Sequence, residues 1–212
     1  MKKNSPLYVV GFMIVLCAVC GAAIATVQFM MKPLLDANDR LVRNRTIARV
    51  YGITVTQQTA AAYDSALSAA IAETTVTANG QTWELFTGKN PPHEPGFVFG
   101  GLAFWDYVSG IVVLSHDLSH IRAIDFIDQK ETPGLGARIE EKAFKDQFRD
   151  YPVAWDRPQN ERIKFGENRN GKRLDAITGA SQTSIALERI LNDNLAAFKA
   201  MRNASVKTSG KE

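Results

Sequence analysis

The stretch D-A-I-T-G-A-S at 175–181, read together with E-T-P-G-L-G at 131–136, decides how this chain is read. Each is a loop of small residues that runs into a helix-like segment, and the two lie far apart in sequence. Downstream of Thr178-Gly179-Ala180-Ser181, the residues Leu187, Ile190, Leu191, Leu195 and Phe198 recur at helical spacing. Small residues let a backbone approach a ligand closely. The first amides of a helix have no partner within it and favour an anion, so a phosphate fits there. An exposed hydroxyl at the same point would serve as the oxygen of a phosphoester.

Each piece also has a plain structural reading. Ser181, Thr183 and Ser184 are competing N-caps, and ETPGLG taken alone is an ordinary Pro-Gly turn. Together, in this order and at this separation, the two motifs resemble the FMN-binding domain found in the G subunit of Rnf complexes and the C subunit of sodium-translocating NADH:quinone reductases. The resemblance covers roughly residues 100–195. It implies FMN joined through its phosphate to a hydroxyl of the T-G-A-S loop by a separate flavin transferase that uses FAD. The family usually has Thr at the acceptor position, where this chain has Ser181; Thr183 is the alternative. By the same resemblance Thr178, Gly179 and Ala180 hold the phosphate, and Asp175 belongs to the signature read by the transferase. On the other loop, Glu131, Thr132, Gly134, Leu135 and Gly136 complete the site, with Thr132 and Leu135 bracketing the ring. Gly100-Gly101-Leu102-Ala103-Phe104-Trp105 resembles the family's G-x-G-L-W segment. Trp105 therefore either packs on the isoalloxazine or, with Phe104, anchors the core.

The rest of the chain frames this site. Leu7 to Met31 carries no charge, and at about 1.5 Å per residue it is long enough to cross a bilayer core of roughly 30 Å. The run exceeds the usual signal-peptide core of about 7–15 residues and lacks a small-x-small cleavage site, so an anchor in the lipid bilayer is the expectation. Counting positive charge, Lys2 and Lys3 before the span against Lys32, Arg40, Arg43, Arg45 and Arg49 after it, places the following domain inside the cell. The resemblance implies the opposite, a single-pass protein of the inner (cytoplasmic) membrane with an extracytoplasmic flavin domain. We adopt that orientation, because large domains translocate despite their charge. Cys17 and Cys20 lie one turn apart within the apolar run and read as small packing residues. An excess of 25 Lys plus Arg over 22 Asp plus Glu, net +3, is too small to argue for nucleic acid.

The expected organisation is a cytoplasmic stub at 1–6, a transmembrane helix at 7–31, a juxtamembrane helical segment at 32–80, an FMN-binding domain at 81–202 and a disordered tail at 203–212. Within the second half we expect a strand at Gln81–Phe86 and a proline-rich loop around Pro91, Pro92, His93 and Pro95. A hairpin follows, Gly110–Ser115 with His120–Ile127, around an Asp-containing turn that carries His116. Ile139, Ala143, Phe144 and Phe148 predict an amphipathic helix, and Ile163–Phe165 predicts a strand. Lys172 and Arg173 either neutralise phosphate or form a solvated charge pair. The fold class is α+β, a small, mainly antiparallel sheet flanked by helices and attached to one span. Taken with the resemblance, this implies an electron-carrier subunit of a membrane-bound, ion-translocating oxidoreductase, partnered by integral membrane subunits of its complex. The competing reading is a membrane-anchored binding or assembly module of the same fold without flavin.

Overall fold

The computed structural model describes residues 6–78 and 81–209. Helix α1, Pro6–Val50, contains the apolar run, whose most apolar 18-residue window has a mean hydropathy of 2.6 and is fully exposed. It is long and apolar enough to cross a membrane. Pro33 lies inside the helix, and Lys32 pairs with Asp36 one turn on at 3.3 Å. Residues up to Leu41 form one unit. The last two turns of α1 belong to a second unit that begins at Val42 and holds the rest of the chain.

That second unit is built on a six-stranded antiparallel meander in which neighbours in sequence are neighbours in space. Its strands are β1 Ile71–Ala78, β2 Gln81–Gly88, β3 Pro95–Leu102, β4 Tyr107–Leu114, β5 His120–Asp128 and the short β6 Tyr151–Pro152. Helix α2, Ala60–Ala70, leads directly into β1, and its Thr59 cap accepts a hydrogen bond from the Ala62 N–H at 3.3 Å. Two layers cover the sheet. On one face Phe86, Ile111, Val113 and Ile71 bury against Ile47 of α1, with Leu67 of α2 packed on them. The other face is covered by α4, Ser181–Ser209, whose predicted apolar positions Leu187, Ile190, Leu191, Leu195 and Phe198 are all buried. Phe198 stacks on Phe97 of β3 with ring centroids 4.5 Å apart.

The predicted hairpin is β4–β5. Its turn is held by Asp117, which accepts hydrogen bonds from the Ser115 and Ser119 hydroxyls at 2.6 and 2.7 Å. These donors keep the Asp117 carboxyl well below the usual carboxylate range. Besides the two-residue strands β6, β7 and β8, two full-length strands of the sheet were not expected. β1 occupies the end of the segment read as helical, because Thr74, Thr75, Val76 and Thr77 are β-branched and pair along the whole of β2. β3 opens on Pro95, a position where a missing N–H costs the ladder nothing.

Three further expectations change. The amphipathic helix over 139–148 is a 3-10 helix, Gly136–Glu140, followed by the single turn α3, Lys142–Asp146, although Ile139, Phe144 and Phe148 are buried as the spacing requires. No strand covers Ile163–Phe165; Phe165 makes one isolated bridge to Leu174, beside the two-stranded ribbon β7 Asn168–Arg169 and β8 Lys172–Arg173. The tail expected to be disordered from Asn203 continues α4 to Ser209. Residues 210–212, like residues 1–5 of the expected stub, lie outside the described residues.

Segment 157–166, which has little regular structure, is tied to α4 through Asn192. This side chain is 1 % exposed; its Oδ1 accepts the Ile163 N–H at 2.9 Å, and its Nδ2 donates to the carbonyls of Ile163 at 2.9 Å and Asn160 at 3.3 Å. Asn192→Ala strands those backbone groups away from water, at about 1–3 kcal/mol. A lower melting temperature with the far-ultraviolet spectrum unchanged is the expected result.

Candidate functional site

The two glycine-bearing loops meet. Gly179, at φ +81°, lies on the loop before α4, and a Cβ built there would stand 3.2 Å from Leu135 Cδ2 of ETPGLG. Gly136, at the other end of that motif, faces the first turn of α4, where a Cβ would stand 2.6 Å from Thr183 Oγ1. Two loops distant in sequence thus form one wall.

Each loop is closed by its own bonds. In ETPGLG the Thr132 carbonyl accepts from the Leu135 and Ala137 N–H groups, both at 3.1 Å, and Gly134 takes φ +75°. In the second loop Ser184 Oγ accepts from the Ile177 N–H at 3.0 Å and donates to the Ala180 carbonyl at 3.1 Å. Ser184, one of the three hydroxyls read as competing caps, lies inside α4 and bonds back to the loop before it rather than to a helix amide. The Asp175 N–H donates to Gln147 Oε1 at 2.6 Å, which anchors the start of the loop.

With Ser184 occupied, the other two hydroxyls part company. Ser181 is the exposed first residue of α4. The helix ladder begins with the Ser184 N–H on the Ala180 carbonyl at 3.0 Å, so the amides of Ser181, Gln182 and Thr183 precede it and point outward at the positive end of a long helix. Thr183 is 3 % exposed, and its hydroxyl donates to Glu131 Oε2 at 2.6 Å. Glu131 is itself 4 % exposed, and its Oε1 accepts the N–H groups of Phe104 at 3.0 Å and Trp105 at 2.8 Å. Both side chains expected at the cofactor are therefore used inside the protein.

Trp105 is 67 % exposed, so its reading as a core anchor falls away, and the same holds for Phe104, whose ring meets the indole edge-on at 5.5 Å. Leu102, Tyr107, Leu135 and Ile185 are also exposed apolar side chains on the elements that build the site. Sequence reasoning missed Ile185, although it lies one turn beyond Ser181. It also missed Arg189, whose guanidinium donates to the Leu102 carbonyl at 2.7 Å and ties α4 to the aromatic turn. That turn is closed by the Ala103 N–H on the Asp106 carbonyl at 2.9 Å. The Asp106 carboxyl is held below its usual range, first by the Tyr107 N–H and then by Lys130, so it stays charged as the pH falls.

The remaining candidates are structural or solvated. Arg173 pairs with Asp175 at 2.8 Å, both exposed, which is the charge-pair reading. His93 sits at φ 55° with Nδ1 2.9 Å from the Gly88 carbonyl, and His120 Nδ1 lies 2.6 Å from Ser119 Oγ. Among the described residues no group of three His, Cys, Asp or Glu side chains converges as a metal site.

The arrangement fits a flavin phosphate on three counts. There is an exposed residue with a hydroxyl side chain at a helix start, a glycine loop before it that meets ETPGLG, and exposed aromatic and aliphatic side chains on the elements that carry the two motifs. Comparison with known proteins agrees. Residues 103–196 match the FMN-binding domain family. The chain is similar to the G subunit of the ion-translocating oxidoreductase complex of Methanosarcina acetivorans, with 38 % identity over 74 residues, 35 % of each chain. It is also similar to the C subunit of the Na(+)-translocating NADH-quinone reductase of Vibrio alginolyticus, with 29 % identity over 87 residues, 40 % of this chain and 34 % of that one. The chain matches about a third of the length of these curated relatives. Among solved structures, the C subunit of the Na(+)-translocating NADH-quinone reductase from Parabacteroides distasonis superposes with a TM-score of 0.61 at 20 % identity, covering 79 % of this chain and 94 % of that one. NqrC of Shewanella oneidensis gives 0.62 at 14 % identity, covering 74 % and 91 %. These likenesses show the fold: over residues 103–196 the chain matches the FMN-binding domain family, and it is similar over about a third of their length to the G subunit of an ion-translocating oxidoreductase complex and the C subunit of a Na(+)-translocating NADH-quinone reductase.

Proposed function

We infer that this chain is the flavin-carrying subunit of a membrane-bound, ion-translocating oxidoreductase complex, with FMN attached through its phosphate to Ser181. The observation that carries this reading is the exposed Ser181 at the start of α4, two residues from the loop glycine Gly179 that stands against Leu135 of ETPGLG. FMN supplies one-electron chemistry, and the protein's tasks are to attach, orient and tune it. Attachment forms a bond between Ser181 Oγ and the FMN phosphorus while the pyrophosphate of FAD breaks. AMP leaves, and the serine proton passes to solvent or to a base of the flavin transferase. In the loaded chain the amides at the start of α4 hold the phosphate oxygens, and Thr132, Leu135 and Trp105 border the ring.

Membrane subunits of the complex give and receive the electrons, and α1 holds the chain in the bilayer with the flavin domain outside the cytoplasm. That orientation is supported by the fate of the cations that argued against it. Arg43 pairs with Glu84 at 2.6 Å and Glu73 at 2.5 Å, and Arg49 pairs with Asp125 at 2.9 Å. Arg43 and Arg49 lie in the folded unit that begins at Val42, and large domains translocate largely regardless of their charge.

Mass spectrometry of the tryptic fragment from Leu174 to Arg189, taken from native membranes, tests the reading. The expected fragment carries the mass of FMN less one water, localised to Ser181. A fragment unmodified throughout overturns the proposal and leaves a flavin-free binding module.

A further inference from the structure

Around the two loops, one carboxylate gathers donors from two distant segments. Glu131 Oε1 accepts from the backbone N–H groups of Phe104 and Trp105, 27 and 26 residues before it, and Oε2 accepts from the Thr183 hydroxyl, 52 residues after it. Its own N–H is held by Gln129 Oε1 at 2.8 Å, which fixes where the side chain starts. Hydrogen bonds to an ionised acceptor are roughly twice as strong as neutral ones. Buried as these are, loosening any of them leaves a polar group without water.

Both oxygens of Glu131 are thus taken by the protein, and the side chain is buried, so it offers nothing to a ligand. What it holds matters instead. Phe104 and Trp105 have exposed side chains, and the direction in which the indole projects is set by their backbone, which is the part Glu131 grips. Thr183 lies two residues beyond Ser181, so holding its hydroxyl fixes the rotation of the turn that carries the acceptor. Arg189 adds a second tie between the same two segments through the Leu102 carbonyl.

The geometry points to Glu131 as the positioning residue of this site, acting through the Trp105 turn and the first turn of α4 and setting one against the other. Where it concerns the bound flavin, this inference rests on the function proposed above; the arrangement it describes exists in the unloaded chain. Thr183 is the second half of the same clasp.

The test uses the full chain in detergent, made without flavin transferase and labelled with ¹⁵N-tryptophan. Its three tryptophans, Trp83, Trp105 and Trp155, give three backbone amide signals. The Trp105 signal is assigned by its loss in Trp105→Phe. In Glu131→Ala this signal should move upfield as its hydrogen bond is lost, while those of Trp83 and Trp155 stay in place. In Glu131→Gln, where a neutral oxygen replaces a charged one, it should move the same way by a smaller amount. An unmoved Trp105 signal in folded Glu131→Ala overturns the inference. Should that variant not fold, an unmoved signal in Glu131→Gln overturns it equally. In the flavin-loaded chain the visible absorption band should be displaced in the same order, Ala more than Gln. A merely structural loss lowers the amount of bound flavin without ordering the band position. A wild-type chain that never acquires flavin refutes the proposed function but leaves the amide result standing, so the two failures are told apart.

Discussion

Ser181→Ala, co-expressed with a flavin transferase and run on a denaturing gel, is expected to show none of the ultraviolet fluorescence that the wild-type band retains. The prediction follows from comparing the hydroxyls of the loop. Ser184 is committed to the Ile177 N–H and the Ala180 carbonyl, and Thr183 is buried against Glu131. A transferase must bring a pyrophosphate to its acceptor oxygen, and neither of those oxygens is open to it. Ser181 is exposed and stands among helix-start amides that favour the incoming phosphate. Ser181→Thr keeps an oxygen in the same place and should restore the fluorescent band. Thr183→Val loosens the clasp but leaves the acceptor, so it should keep a band of reduced intensity. A fluorescent Ser181→Ala band beside a dark Thr183→Val band would move the attachment site to Thr183.

Some elements of this fold are legible in the sequence and others are fixed only by distant contacts. The long apolar helix was plain, because a long uncharged run needs no partner to be recognised. The hairpin β4–β5 was also plain, since Ser115, Asp117 and Ser119 form their turn locally. Two strands of the sheet, the edge strand β1 and the interior strand β3, were hidden. β1 follows an alanine-rich helix without a break, and its threonines declare themselves only when paired along β2. β3 looked like a loop because of Pro95 and three glycines, but those glycines answer tertiary contacts. A Cβ at Gly100 would collide with the Tyr107 hydroxyl, and one at Gly101 would stand 2.8 Å from Ile190. The two motifs of the site were visible as motifs. What joins them was not, because Glu131 and Thr183 meet across 52 residues and no local pattern records it. The same gap hides that Glu131 and Thr183, both expected at the cofactor, are hydrogen-bonded to each other.

Gly136→Ala is expected to be more damaging than the other glycine-to-alanine change in ETPGLG, Gly134→Ala. Its new methyl would stand 2.6 Å from Thr183 Oγ1, 2.7 Å from Glu131 Oε2 and 2.9 Å from Glu131 Cβ. The Cβ of Glu131 is fixed to its backbone and cannot swing away, so the carboxylate must leave its donors or the 3-10 helix must shift. Overpacking of this kind costs about 1–3 kcal/mol. Stranding the buried donors that Glu131 serves adds about 1–3 kcal/mol. Together these lower the melting temperature of the solubilised chain by roughly 10 °C, at about 2–4 °C per kcal/mol for a chain of this size. Gly134→Ala is the control. It lies in the same motif at φ +75° with open space around the missing Cβ, so it bears only the left-handed backbone penalty of about 1–2 kcal/mol. Near-ultraviolet circular dichroism melts of the two variants decide the matter. If Gly136→Ala melts no lower than Gly134→Ala, the clasp between ETPGLG and α4 is not tight, and the wall described for the flavin site must be looser than these contacts imply.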